Sequence, residues 1–173
     1  VSNAAAAIMI CREVGISLED IKKYFESFQN AKRRFAEDKV GDTIIIDDYA
    51  HHPTEIKVTL NAVKQKYPDK RLVVVFAPNT YSRTEKFYKE FADNLNIADK
   101  TYLTEIDCNR ERKEEYSCVT SKVIFDLLNN GEMIDDDSVS KLLNHREPVI
   151  CFMSCANISS MINKYRDLQK NNE

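Results

Sequence analysis

TIIIDDYAHHPTEI, residues 43–56, decides how the chain folds. Its apolar run, Thr43 to Ile46, has the length and β-branched content of a buried strand. Asp47 and Asp48 close that run, and Pro53, suited to the first position of a helix, opens the next segment. A strand, a polar reversal and a helix make the first half of a parallel β-α-β unit. The reversal also concentrates two aspartates, a tyrosine and two histidines, so it is both a fold signal and a candidate wall of a site.

The same texture extends in both directions. Strand-like runs occur at 33–38 (RRFAED), 43–47, 71–76 (RLVVVF), 100–106 (KTYLTEI) and 148–153 (PVICFM). Helical stretches cover 53–66, 82–96, 117–129, 136–144 and 156–169. Ser82 to Glu85 reads as a capping box, and the acidic run DDDS at 135–138 as a helix start. The expected fold is α/β, a Rossmann-like and mostly parallel sheet with helices on both faces. Short helices precede it. SNAAAAIMICREVG ends at Gly15, a helix C-cap, and Ser17 caps a second helix with Ile21, Tyr24, Phe25 and Phe28 on one face. Opening on a helix without a lead-in suggests a segment of a longer chain, and the texture changes at about residue 33, an apparent junction of two modules.

Composition narrows the function classes. With 173 residues, 43% apolar and 31% charged, the chain reads as a globular protein able to bury a core. A net charge of −3 without a basic stripe argues against a nucleic-acid partner. No apolar run is long enough for a membrane span and no export signal opens the chain, so a cytoplasmic protein is expected. Five cysteines then read as reduced, buried thiols. Glycines stand at 15, 41 and 131, too far apart for a phosphate loop, so any nucleotide must have its phosphates cradled by other protein.

In open parallel sheets ligands bind beyond the carboxyl ends of the strands. The residues following the strands are DDYAHHP, APNTYSRT, DCNRER and SCANIS, which gather polar chemistry on one rim. An aspartate at such a rim accepts ribose hydroxyls or caps the next helix. Neutral His51 and His52 before a helix N-terminus hydrogen-bond a carboxylate or amine, or satisfy local backbone. Arg83 suits a bidentate contact with carboxylate or phosphate, or a surface ion pair. On pattern alone Arg33 and Arg34 are solvated linker charges. Cys108 with Cys118 and Cys151 with Cys155 lack zinc-site spacing, and no metal site is expected in the chain.

DDYAHHPTEI resembles the third-domain motif of the Mur ligases, in the form found in members that join L-alanine to UDP-N-acetylmuramate. The SNAAAAI helix, F-x-x-x-x-RRF at 28–35 and VFAPNTYSRT are similar to the family in the same order, with a weaker echo at CFMSCANI. The resemblance implies an ATP- and Mg2+-dependent ligase that forms an amide through an acyl phosphate, in peptidoglycan precursor synthesis. Residues 1–31 would then be a helical remnant of the central ATP-binding domain, and that domain, not present here, would hold most of the ATP and Mg2+. Alone, the chain is expected to be inactive. By position, the family roles fall on Asp48 for the ATP ribose, Arg34 for the phosphates and Asn3 for adenine. Tyr49, His51 and Arg83 would surround L-alanine, with Arg83 facing its carboxylate. Departures fall on the alanine side: Ala77-Pro78-Asn79 replaces Q-P-H, Thr80 stands where many members have arginine, and Ser154 and Cys155 replace glycines. The alternatives are a recycling ligase that adds a tripeptide, whose members usually have Phe at Tyr49 and lack Glu55, and a non-catalytic nucleotide-binding module. A flavodoxin-like response domain fits the alternation but leaves the rim histidines and arginine unexplained.

Overall fold

Strand β2 (Thr43–Asp48) and helix α3 (Pro53–Lys66) form at the opening motif, with Pro53 as the first helical residue. His52 is the N-cap of α3, and the Glu55 carboxylate accepts the His52 amide at 3.1 Å. This capping box fixes the angle at which the chain leaves the strand. The computed structural model describes residues 2–28, 32–108, 110–116 and 118–171.

The chain divides into two compact units, Val1–Ala31 and Lys32–Glu173. The first contains α1 (Ser2–Glu13) and α2 (Leu18–Glu26). Gly15, at φ 86°, lets the amide of Ile16 return to the carbonyl of Cys11, the C-cap expected from the sequence. Ser17 accepts the amide of Asp20 and starts α2. Of the aromatic face expected on α2, Ile21 is buried, whereas Tyr24 and Phe28 are 66% and 70% exposed.

The second unit is built on one six-stranded sheet in the order β1-β2-β6-β3-β4-β5. Its remaining strands are β1 (Ala36–Val40), β3 (Leu72–Phe76), β4 (Lys100–Leu103), β5 (Gly131–Met133) and β6 (Val149–Met153). All neighbours run parallel except β1, which pairs antiparallel with β2. The strand-like run read at 33–38 is thus realised as the one antiparallel strand of a mostly parallel sheet. Val40 pairs with Thr43 across Gly41 (φ 56°) and Asp42, a two-residue hairpin that can only reverse the chain.

Helices cover both faces, as expected. Alternate residues of the strands divide between two cores. Ile46, Val74, Phe76 and Met153 pack with Ile56 and Leu60 of α3 and Phe91 of α4 (Tyr81–Leu95). Ile45, Val75 and Phe152 pack with Val139, Leu142 and, from α6 (Ser159–Lys170), Ile162 and Tyr165. Each large side chain buried here contributes about 1.5–3 kcal/mol. The 136–144 stretch is helical as expected, in the 3-10 form, with Asp135 as its N-cap. Of 117–129 only the single turn α5 (Lys122–Phe125) is α-helical, and Ser117, its expected start, lies outside the described residues. Of the cysteines expected as buried thiols, only Cys151 is buried; Cys118 is exposed, and Cys11, Cys108 and Cys155 are partly so.

Strand β3 leads into α4 on one face, and its neighbour β6 leads into α6 on the other. Connections leaving adjacent strands in opposite directions open a crevice at their carboxyl ends. The rim residues collect there.

Candidate functional site

At one corner of the rim stands Asp48, only 7% exposed. The amide of Phe35 donates to its Oδ2 and the amide of Ala50 to its Oδ1, each at 2.7 Å. Burial raises its pKa above the usual carboxylate value, against the opposing pull of those two amides and of Arg34. The expected ribose acceptor is therefore already committed to the main chain, tying the 33–35 segment to the turn before α3. Arg33 corrects the reading as a solvated linker charge: it is half-buried, donating Nη2 to the Ser154 carbonyl at 2.5 Å and Nε to Asp47 at 3.3 Å. Ser154, fully buried, extends the stitch by donating its hydroxyl to the Ala77 carbonyl at 3.1 Å and its amide to the Asp48 carbonyl. Arg33 and Phe35 hold left-handed backbone at φ 58° and 52°, strained for residues with side chains. The bonds to Ser154 and Asp48 hold them there.

Tyr49 sits beside this corner. Its amide donates to the Arg33 carbonyl, and the guanidiniums of Arg34 and Arg33 lie 4.9 and 5.6 Å from its ring centre. These cation–π contacts keep Arg34, which is exposed, close to the rim. His51 packs edge-on to Tyr49 at 5.2 Å, with its Nδ1 2.9 Å from the Tyr49 carbonyl. A carbonyl only accepts, so Nδ1 carries a hydrogen there, and the Glu55 carboxylate lies 3.3 Å from the same nitrogen, leaving Nε2 to face the cleft's contents. His52 is turned away, capping α3 and meeting Phe87 edge-on.

A cleft of about 420 Å3 opens over the strand ends, lined among others by Tyr49, His51, Asn79, Arg83, Arg110 and Cys155. It brings together all three residues expected around an amino acid: Tyr49, His51 and Arg83. Thr80, not Ser82, is the N-cap of α4: at φ 70° its side chain accepts the Arg83 amide. Arg83 donates Nη1 to the Asn79 carbonyl at 3.2 Å, at the first turn of α4. Sequence pattern does not single out Arg110, although it lies in the rim stretch DCNRER; only its place in space separates it from its charged neighbours. A larger hollow of about 690 Å3 adjoins the cleft on the α6 face and shares Asp107, Ala156 and Asn157 with it. Its lining includes Ile134, Ile158 and Met161 but none of the rim's arginines or histidines, so the smaller cleft is the better candidate. Asn3 lies exposed on α1, in the other unit. Among the described residues, no three His, Cys, Asp or Glu side chains gather into a metal-holding group.

A mostly parallel α/β domain with a cleft over its strand ends, lined by Arg83, Arg110 and His51, belongs to the class of open sheets whose ligand crevice lies at that rim. Residues 33–145 match the family model of the Mur ligase, glutamate ligase domain, and the chain belongs to that family. It is 42% identical over 159 residues to UDP-N-acetylmuramate–L-alanine ligase of Lactococcus lactis subsp. cremoris, covering 91% of this chain and 36% of that protein. The corresponding ligase of Lactobacillus gasseri is 40% identical over 166 residues, covering 96% of this chain and 38% of that one. The chain thus spans little more than a third of the length of these curated relatives. The crystal structure of UDP-N-acetylmuramate–alanine ligase from Thermotoga maritima shares the fold with a TM-score of 0.79 at 23% identity, over 99% of this chain and 37% of that chain. A murein peptide ligase from Psychrobacter arcticus gives a TM-score of 0.68 at 24% identity, over 98% of this chain and 36% of its own.

Proposed function

We propose that the chain is the amino-acid-binding, C-terminal part of a cytoplasmic ATP-dependent ligase. That enzyme joins L-alanine to the carboxylate of UDP-N-acetylmuramate through an acyl phosphate, in peptidoglycan precursor synthesis. The observation that carries this reading is identity of 40% or more, over most of the chain, to ligases named for that reaction. In the proposal residues 1–31 belong to the ATP-binding domain, with Asn3 at the adenine, and 32–173 form the domain that closes over it. Exposed Met9, Ile10 and Val14 on or beside α1 support this, since such apolar surface is ordinarily covered by more protein. Magnesium would be held mainly by the ATP-binding domain, together with the nucleotide phosphates.

What this chain contributes is placement. Arg34, poised on the Tyr49 ring, reaches the nucleotide phosphates. Asp48 has one lone pair left on each oxygen for the ribose and acts equally by fixing Arg34's segment. Arg83 takes the alanine carboxylate, and His51 Nε2 accepts an N–H of its amine, which becomes the nucleophile. Fixing amine and acyl phosphate together converts a bimolecular step into an oriented one. Closure of the domain excludes water that would hydrolyse the intermediate.

The adjoining hollow of about 690 Å3 favours one second reading, in which the incoming group is a tripeptide. Purified full-length protein separates the two. With ATP, Mg2+ and UDP-N-acetylmuramate it should release phosphate when L-alanine is added and give a single amide product by mass spectrometry. Release with tripeptide alone would install the second reading, and no release with either would remove both.

A further inference from the structure

We propose that Arg110 supplies a second guanidinium for the carboxylate bound by Arg83, and that Glu111 positions it by latching the loop after β4 to the start of α4. The inference rests on the reading of the cleft as an amino-acid site.

Arg110 is exposed, and among the described residues no hydrogen bond or ion pair holds its guanidinium, yet it lines the same cleft as Arg83. Two guanidiniums facing one small cleft repel each other unless an anion lies between them. Arg83 keeps most of its donors, since only Nη1 is engaged, by the Asn79 carbonyl. Among the described residues the one acidic side chain lining the cleft is Asp107. A planar carboxylate accepting from both arginines fits this deficit, and an α-amino acid brings one.

The loop carrying Arg110 is pinned on both sides of it. Upstream, the Asp107 amide donates to the Pro78 carbonyl at 3.0 Å, and Asn79 Nδ2 donates to the Asp107 carbonyl at 2.6 Å. Downstream, the Ser82 amide donates to Glu111 Oε2 at 3.1 Å and the Ser82 hydroxyl donates to Oε1. Tyr81 stacks on Tyr116 at 5.9 Å and buries a small cluster with Ile106 and Val119 beneath the same loop. Ser82 immediately precedes Arg83, so the latch sets the position of one arginine directly from the helix that carries the other. Ser82 donates to both Glu111 oxygens, and among the described residues no ion pair joins that carboxylate to Arg110, whose charge stays available. Burial pushes the Glu111 pKa up, but the Ser82 hydroxyl and the amides of Ser82 and Tyr81 outweigh it, keeping the latch ionised.

Steady-state kinetics of the full-length enzyme test the assignment. Arg110→Ala should raise KM for L-alanine by about tenfold to a hundredfold, the range of one charge-assisted contact, with KM for ATP and UDP-N-acetylmuramate within about twofold. Arg110→Lys should recover part of the loss. Glu111→Gln should raise KM for L-alanine less, with kcat nearly unchanged. Wild-type ligation of alanine with an unchanged alanine KM in Arg110→Ala would overturn the inference and leave the proposed function standing. If wild type does not ligate alanine, the proposed function falls, and arginine Nε–H resonances of the 173-residue chain decide the clamp. Joint movement of Arg83 and Arg110 with L-alanine but not with L-alaninamide supports it. Movement of Arg83 alone, or of neither, refutes it.

Discussion

The Asp48 corner and the Arg83–Arg110 cleft stand on the same rim, both flagged by polar residues after strands, yet they are opposites in availability. Asp48 is buried, with each oxygen already accepting a backbone amide. Arg110 is exposed, and Arg83 has one nitrogen engaged. Charge at a strand end therefore does not by itself make a ligand contact. Unsatisfied hydrogen-bonding capacity does, and the cleft has more of it than the corner.

Substitutions at the two places should part company. The largest effect is expected from Asp48→Ala, which strips one buried and one partly buried amide of their acceptor and should cost about 2–5 kcal/mol of unfolding free energy in urea. A side chain serving only a ribose would give a near-neutral melt, and the contrast would be lost. Arg83→Ala should leave the melt within about 0.5 kcal/mol and instead raise KM for L-alanine by about tenfold to a hundredfold. An equal rise for ATP would place Arg83 elsewhere in the reaction.

The contrast also has a pH signature. The folded-state pKa of Asp48 is raised from 3.8, so the stability tied to its protonation is complete below that value and is lost as pH rises through the folded pKa. Glu111 is lowered from 4.5, so its stabilisation is present above that value and is lost as pH falls through the folded pKa. Carboxyl NMR titration should find Asp48 titrating above Glu111; the reverse order would erase the distinction. The smallest effect is expected at Arg33→Ala, about 1–2 kcal/mol by urea melt, for lost hydrogen bonds to Ser154 and Asp47. No change would mean that the stitch adds little to the corner.

Local pattern carried much of this fold. Alternating apolar runs and helix signals marked β2, β3, β4 and β6 and the helices on both faces, because those strands are buried on two sides and contain little else. β1 was marked as a strand-like run at 33–38, but its reversed direction was not, because the two-residue hairpin at Gly41-Asp42 turns on backbone geometry that alternation does not register. β5 escaped because three residues carry too little pattern to read. Thr80 displaced the expected cap at Ser82 through a left-handed φ that nothing in its type announces. The site was legible as a set of residues but not as a set of contacts. Ser154 holds Arg33 across 121 positions of chain, and Glu111 reaches Ser82 across 29. Such pairings exist only once the sheet has brought the loops together.

The central claim is that this cleft presents an amino acid to an acyl phosphate. The most direct measurement uses UDP-N-acetylmuramate labelled with heavy oxygen in its carboxylate, incubated with full-length protein, ATP and Mg2+. Because amide formation through an acyl phosphate sends one carboxylate oxygen out with the phosphate, L-alanine should drive the label into released phosphate. Unlabelled phosphate, or labelled phosphate whose release L-alanine does not stimulate, would contradict the account.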